Sequence, residues 1–518
     1  VDLFRPASPA HGAQEQGAQE QGAQEQGTLS PSEPVVPPDR PDAVPVSRLV
    51  PRFASRHGLF GIVLLAAAAV RAVAMLGFRG PRLTPDSADY VAATVRFAPG
   101  LIRPSGYPAM LLLLQPFHSL ALVIGVQHAM GLAIGVAGYL LLRRAGLPGW
   151  GATLAMVPVL LSANAIEIES FVLSDTLFAF LLMIAVVLVM WWPAPPIWAC
   201  ALAGLLLAAA TMVRSQGLPL LIVFTGCILV RFAGWRTVAG VLAMCAAFAV
   251  PVAGYARWFE SVHGSFQLTS SDGAILYAAV APFADCGKIK PPPDERLMCL
   301  SVPVSRRNYS QLYIWSLSPL RPLRGGKFGP VADRLGTDFA LRAVQAQPFD
   351  YLRAVWQSFW AGFLLYHNTP KSAHLASIGA QLQRDYTFPA TSPGPPPAYA
   401  ARHYYAYDRA NPTLRVVPPY AGWILGYQRP VVVSGPLLGL ITITGLMGLL
   451  VAWRRFGGPA LLPWLTGFAL LVAPAAVLDL DPRDLVCAVA PLCVAAAIAV
   501  QHVAGRARRS RAGPQPAL

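Results

Sequence analysis

The chain has 518 residues, of which 55% are hydrophobic and only 13% charged. Soluble domains carry roughly 25% charged residues, so this composition excludes an ordinary soluble protein and places most of the chain in a membrane. The formal net charge of +15 does not point to nucleic acid: no nucleic-acid motif is present, and the arginines gather at the ends of apolar runs and in both tails, where they set topology and meet anionic lipid.

Residues 1–50 hold three tandem copies of Gly-Ala-Gln-Glu-Gln (Gly12 to Gln26) and then a Pro-rich stretch including Pro31, Pro34, Pro37, Pro38, Pro41 and Pro45. Polar repeats bury too little apolar surface to offset chain entropy, which predicts a disordered tail. No apolar run lies near its start, so it does not read as a signal peptide and is expected to persist in the mature chain.

A hydrocarbon core about 30 Å thick needs roughly 20 apolar residues of helix. Ten segments approach that length: 58–76, 121–142, 149–166, 171–192, 196–213, 217–232, 237–256, 431–452, 459–478 and 485–503. The fold class is therefore an all-α polytopic membrane protein with about ten (10–12) transmembrane helices. Even-numbered crossing puts both tails on one side. Arg48, Arg52 and Arg56 before the first span, Arg506, Arg508, Arg509 and Arg511 after the last, and the links carrying Arg143, Arg144, Arg231, Arg236, Arg454 and Arg455 fall on that same face, which the positive-inside rule makes cytoplasmic. The chain thus divides into a cytoplasmic tail (1–50), a transmembrane module (51–256) with a first outer loop at 77–120, an extracytoplasmic region (257–430), C-terminal helices (431–503) and a basic cytoplasmic tail (504–518).

The first outer loop breaks the charge rule, since Arg79, Arg82, Arg96 and Arg103 sit where cations are disfavoured unless they bind something anionic. Met110 to Leu114 is too short to span, so Pro104 to Leu120 is expected to dip toward the bilayer surface. Phe349 to Tyr366 carries Asp350 and Arg353 before Trp356, Phe359 and Trp360, and reads as an interfacial helix. Five cysteines, Cys200, Cys227, Cys245, Cys487 and Cys493, lie in apolar spans and read as inert small hydrophobes. Cys286 and Cys299 occupy a polar, Pro-rich outer segment where oxidation is permitted, and are expected to form a disulfide.

An ionisable group at a membrane face is costly, so each is a candidate site residue. In Thr84-Pro-Asp-Ser-Ala-Asp-Tyr90, Asp86 reads either as a helix N-cap, worth about 1 kcal/mol, or as a general base at the water–membrane boundary; Asp89 lies one turn on, nearly on the same face. Arg71, inside the first apolar run, either snorkels to the headgroups or meets a phosphate. Arg214 either sits in a simple polar turn or serves a donor site. Glu167 and Glu169 read as members of a solvated turn or, for Glu169, as part of a second acidic site with Asp175, whose carboxylate among Leu173, Leu177 and Phe178 needs a partner. Asp86, Asp89 and Asp175 are candidate oxygen ligands for Mg2+ or Mn2+. His128 reads as a polar contact between helices.

Asp86-Ser-Ala-Asp-Tyr90, Arg103-Pro-Ser-Gly-Tyr107-Pro108, Gln127-His128 opening the second span, Tyr139 to Arg144 closing it, and Glu169-Ser-Phe-Val-Leu-Ser-Asp175-Thr-Leu-Phe178 together resemble the GT-C membrane glycosyltransferases. The resemblance covers about residues 58–220 and is distantly similar to the bacterial protein mannosyltransferase and aminoarabinose transferase families. Beyond it, Ala281 to Cys286 through Cys299 resembles an outer-loop pattern of one bacterial branch. Asp481-Pro-Arg483-Asp484 is similar to the Arg-Tyr that opens the final span, with Asp484 in place of Tyr. The resemblance implies a bacterial plasma-membrane transferase. It would pass a sugar from a polyprenyl-phosphate donor to an envelope glycan, lipid or protein, with inversion and with Asp86 as base. Arg103, Arg214, Arg71 and Arg483 would hold the donor phosphate, and Tyr90 and Tyr107 belong to the loop motif.

A Gly-x-x-x-x-Gly-Lys-Ser/Thr loop and a His-Glu-x-x-His motif are both absent, and a cytosolic nucleotide sugar does not suit candidate residues on the far side. The competing class is a transporter or lipid flippase, against which the candidate charges gather at one face rather than at the midplane. A third reading is an envelope scaffold whose aromatics, Tyr404, Tyr405, Tyr407, Tyr420, Trp423 and Tyr427, stack on sugars.

Overall fold

In the computed structural model, residues 46–307, 309–364, 388–392, 398–409, 413–452 and 458–511 are described; the repeat-bearing tail lies outside them. Contacts divide the chain into Val1–Arg52 and Phe53–Leu518. The second unit, which carries every candidate residue, is helical. Its first part comprises α1 (Val46–Gly77, entering from the first unit), α2 (Pro85–Arg96), α3 (Gly106–Leu114), α4 (Leu120–Arg144), α5 (Gly149–Leu161), α6 (Ala163–Glu169), α7 (Asp175–Met190), α8 (Ile197–Val213), α9 (Leu220–Arg231) and α10 (Trp235–His263). The outer region folds into α11 (Asp272–Val280), α12 (Cys286–Ile289), α13 (Ser310–Trp315), α14 (Pro330–Ala346), α15 (Pro348–Leu364), α16 (Ala398–Tyr407) and α17 (Tyr420–Tyr427), and the chain closes with α18 (Gly435–Val451), α19 (Leu461–Val477) and α20 (Pro482–Arg511). Among the described residues the one sheet is an antiparallel pair, β1 (Phe78–Arg79) with β2 (Arg415–Val416), in the register Phe78 to Val416.

All ten apolar segments form helix, as an uninterrupted apolar stretch must when its backbone polar groups have no water to bond. Their lengths differ from the expectation. Five helices among the described residues are long and apolar enough to cross a membrane: His57–Gly77, Leu120–Arg144, Trp235–His263, Gly458–Val477 and Pro482–Gly505. A sixth candidate is bent by 51° between α5 and α6, where Ser162 leaves helical geometry with ψ 125°. The remaining four, in α7, α8, α9 and α18, are shorter apolar helices of 10–17 residues.

The helices converge at two ends. At one end His57 Nδ1 and the Tyr139 hydroxyl lie 2.7 Å apart, Phe60 stacks on Tyr139 with centroids 3.8 Å apart, Arg144 donates to the Trp191 carbonyl, and Gln501 donates to that of Ala145 at 3.1 Å. At the other end lie the starts of α7 and α20, the end of α8, and α2 with α3. Gly106 lets that second end close, because a Cβ there would meet the Met212 carbonyl carbon and oxygen at 2.5 Å.

The outer region has its own core around Tyr277, Phe339, Leu335 and Ile314, closed by the expected disulfide between Cys286 and Cys299. α15 exposes Phe349, Leu352, Trp356 and Trp360 along one helical face while Phe359 packs edge-on against Phe468 of α19. The aromatic stretch proposed for stacking on sugars is divided: Tyr404 and Tyr407 are buried, and the Tyr407 hydroxyl donates to the Leu111 carbonyl at 2.7 Å, so neither ring is available to a glycan. Tyr405 and Trp423 remain exposed.

Candidate functional site

α2 begins at a reciprocal cap. Thr84, in extended geometry, accepts from the Ser87 backbone N–H through its side chain, while the Ser87 hydroxyl accepts from the Thr84 backbone N–H at 3.0 Å. Pro85 occupies the first helical position, where its missing N–H costs nothing. The cap is thus Thr84, not Asp86, and the capping reading of Asp86 falls away. The Asp86 carboxylate is left to other partners: Arg103 Nη2 donates to its Oδ1 at 2.6 Å and Arg483 Nη1 to its Oδ2 at 2.8 Å.

From Asp86 the ion pairs run outward to Asp89 and inward to Asp175 and Asp484. Arg103 Nη1 reaches Asp89 Oδ2 at 3.2 Å, and its guanidinium lies 5.5 Å from the Tyr90 ring centroid. Arg483 grips Asp175 from its other side, Nε to Oδ1 at 3.1 Å and Nη2 to Oδ2 at 2.9 Å. Arg214 also bonds Asp175, and its Nη2 reaches Asp484 Oδ1 at 2.8 Å; Gln216 donates to that same oxygen at 3.1 Å. Three guanidiniums therefore face four carboxylates. Exposure grades across them: the Asp86 and Arg103 side chains keep 16% and 21%, whereas Asp175 has 0% and Asp484 4%. Asp89 is more exposed still, so the cluster has a wet edge at Asp89 and Asp86 and a dry base at Asp175.

Local structure explains the convergence. Asp175 opens α7 and Asp484 lies in the first turn of α20, where the helix dipole favours an anion. The Tyr90 hydroxyl bonds Ser174 at 2.9 Å, tying α2 to the start of α7. Tyr107 donates to Gln127 Oε1 at 2.7 Å, and Gln127 donates in turn to the Glu169 and Phe171 carbonyls at 2.8 and 2.6 Å. Both tyrosines thus fix the segment leading into Asp175.

Burial pushes the Asp86 carboxyl up, but the Arg103 and Arg483 guanidiniums beside it outweigh burial and hold it below its ordinary value. The reverse holds at Asp481, just before α20, where burial and the neighbouring Asp484 raise the carboxyl to about 7 against the pull of Arg483.

Arg71 and Glu169 belong to a separate network. Arg71 is 2% exposed, which overturns the snorkelling expectation. Its Nε and Nη2 each donate to Glu169 at 2.8 Å and its Nη1 to the Leu160 carbonyl at 2.7 Å, so the geometry joins it to a carboxylate rather than to the arginine cluster. His128 Nδ1 lies 2.7 Å from Glu169 Oε2, the expected polar contact between helices. Gly131 makes room for this pair, since a Cβ there would meet Glu169 Oε1 at 1.9 Å. Glu167 is likewise buried, paired with Arg82, which lies 4.0 Å from the Phe171 ring centroid. The solvated turn expected for Glu167 and Glu169 is therefore a buried helix with two ion pairs. The second acidic site is split, Asp175 going to the arginine cluster and Glu169 to Arg71.

The residues do not fit the candidate divalent cation. Both Asp86 oxygens face guanidiniums, Arg483 stands between Asp86 and Asp175, and among the described residues no group of three His, Cys, Asp or Glu side chains is arranged to hold a metal. Sequence reasoning missed Asp484, Gln127 and Gln216 as members of these networks. Asp484 did carry a signal, as a second ionisable residue opening an apolar span beside Arg483.

Both networks border one cavity, between α4, α5, α6, α7, α18 and α20, with Glu169 and Asp175 in its lining and Ile134, Val159, Leu438 and Val489 among its aliphatic residues.

No protein-family model matches the chain, and no curated protein matches it in sequence. Among solved structures, it is similar to the apo oligosaccharyltransferase of Archaeoglobus fulgidus, at 12% identity and a TM-score of 0.38 over 88% of this chain and 52% of that one. It is also similar to ArnT from Cupriavidus metallidurans bound to undecaprenyl phosphate, at 11% identity and a TM-score of 0.33 over 87% of this chain and 78% of that one. The chain spans about half the length of the archaeal enzyme.

Proposed function

We propose that this protein is an integral-membrane glycosyltransferase of GT-C type, which moves a sugar from a polyprenyl-phosphate donor to an acceptor hydroxyl outside the bacterial plasma membrane. The reading rests on the convergence of Asp86, Arg103, Arg214 and Arg483 at one end of the helices, with both tails assigned to the cytoplasmic side and this end to the far side. Asp86 and Asp175 hold the guanidiniums in place before any ligand arrives. A donor phosphate reaching the wet edge competes with Asp86 for Arg103 and Arg483, and as those cations turn to the phosphate the Asp86 carboxylate gains basicity.

The acceptor oxygen then attacks the anomeric carbon, its proton passes to Asp86, and the bond from that carbon to the phosphate oxygen breaks. The electron pair leaves with polyprenyl phosphate, whose growing charge the arginines stabilise in a partly dry site. One displacement inverts the anomeric centre. The test is a membrane assay with a panel of polyprenyl-phosphate sugars, comparing wild type with Asp86→Asn. Sidedness is read in parallel by labelling a Lys290→Cys variant with a membrane-impermeant maleimide. Wild-type transfer that Asp86→Asn abolishes, with labelling from the extracytoplasmic side, supports the reading; no transfer from any donor, or labelling from the cytosol alone, overturns it.

A further inference from the structure

Arg103 and Arg483 meet at Asp86, one at each carboxylate oxygen, and come from distant parts of the chain: the loop between α2 and α3, and the first turn of α20. Both stretches of backbone are tied to the outer region close to the arginine they carry. On the Arg103 side, the Ser270 N–H donates to the Leu101 carbonyl at 2.8 Å, and the buried Ser271 hydroxyl donates to that of Ile102 at 3.1 Å. On the Arg483 side, the Leu480 N–H donates to Ser358 Oγ at 2.9 Å and the Tyr351 hydroxyl to the Ala476 carbonyl at 3.0 Å. Gly362 leaves room for Leu480 there, since a Cβ would meet the Leu480 Cδ2 at 2.5 Å.

The two ties belong to one packed body. α11 follows directly on Ser271 and crosses α14 at backbone contact: the Gly273 N–H donates to Asp333 Oδ1 at 2.7 Å, and a Cβ on Gly336 would meet the Gly273 carbonyl oxygen at 2.3 Å. Between α14 and α15, Gln347 accepts from the Asp285 N–H at 2.8 Å and donates to the Phe283 carbonyl at 3.2 Å, and Tyr351 packs against the same core. A close-packed body transmits displacement rather than absorbing it, so it fixes the separation of the two arginine-bearing segments. That separation matters most once a ligand is present. In the transferase reading, on which this step rests, phosphate displaces Asp86, and the carboxylate that spans the two arginines no longer holds them together. We infer that the outer region then keeps them in register as a brace, and that Ser271 and Ser358 are positioning residues for the donor phosphate, acting through Arg103 and Arg483 respectively.

The experiment uses the purified full chain in nanodiscs and compares, by titration, short-chain polyprenyl phosphate with the corresponding uncharged polyprenol. Ser271→Ala and Ser358→Ala are each expected to weaken polyprenyl phosphate about fivefold, within the range for residues that tune a site without touching its ligand, and to leave polyprenol binding unchanged. Ser358→Thr, which keeps the acceptor oxygen, restores most of the loss. Because each serine acts through one arginine, Ser358→Ala adds nothing further in an Arg483→Met background, and Ser271→Ala adds nothing further in an Arg103→Met background.

Equal weakening of the phosphate and the alcohol marks a general loosening of the fold and overturns the inference, as does a full additional loss in the arginine-deleted backgrounds. If wild type prefers the phosphate to the alcohol and the serine variants keep that preference undiminished, the brace fails while the transferase reading stands. If wild type shows no preference for the phosphate, the donor-site reading of the arginine cluster itself fails, and the brace with it.

Discussion

Arg483 is the hinge of the ion cluster, because among the described residues it alone pairs with both Asp86 and Asp175. Replacing it with Met keeps much of the side-chain volume and removes one donor to Asp86 and two to Asp175. Breaking a buried pair by deleting one partner typically costs about 3–5 kcal/mol. The cost here should fall below that, near about 2–3 kcal/mol, because Asp175 keeps Arg214 and Asp86 keeps Arg103. A double-mutant cycle separates the pair from its surroundings. Arg483→Met, Asp175→Asn and the double variant, unfolded by SDS titration in detergent micelles, should give a coupling of about 2 kcal/mol, within the range of roughly 0.5–3 kcal/mol seen for residues in direct contact. A coupling near zero, or stabilisation by Asp175→Asn alone, would refute a cluster whose carboxylates hold the arginines in place.

Thr84→Ala should cost about 1 kcal/mol through loss of the reciprocal cap, whereas Asp86→Asn should leave α2 helical; backbone amide exchange over residues 84–90 distinguishes the two. Alkylation before and after reduction should show two thiols, Cys286 and Cys299, accessible only after reduction. Replacing both with Ser should loosen the outer core by about 3 kcal/mol, the closure entropy expected of a loop of about 15 residues. For Asp481 the folded-state value of about 7 lies above its ordinary 3.8, so the folded protein binds the extra proton between those values. Its contribution is intact below about pH 4 and is lost as pH rises toward 7. Asp481→Asn should therefore flatten the fall in thermal stability between pH 4 and 7, by at most about 1.4 kcal/mol per pH unit; an unchanged slope counts against that burial.

Much of the architecture was legible because a membrane reduces the problem to one pattern: each apolar run became a helix. Charge at the ends of those runs also proved informative. Asp86, Asp89, Arg103, Arg214, Asp175 and Arg483 come from the first outer loop, the ends of two helices and the start of the last, yet they meet in one cluster. What sequence could not show was pairing. Asp86 and Thr84 compete for the cap on local pattern alone, and only the geometry of Ser87 decides it. Arg71 looked like a lone cation because its partner Glu169 lies 98 residues away in a segment that resembles a turn. Ser162 carried no warning that the helix would break there, since its neighbours continue the apolar run.

The most direct test is single-turnover transfer from the one polyprenyl-phosphate sugar that wild type accepts, with Asp86→Asn and Asp86→Glu compared in proteoliposomes of equal protein content. A positioned general base contributes roughly 10²–10⁴-fold. Asp86→Asn is therefore expected to lose at least about a hundredfold in the transfer step while still binding donor, Asp86→Glu to recover part of it, and the product to carry the inverted anomeric configuration. Transfer at the wild-type rate by Asp86→Asn, or a product with retained configuration, would contradict the account.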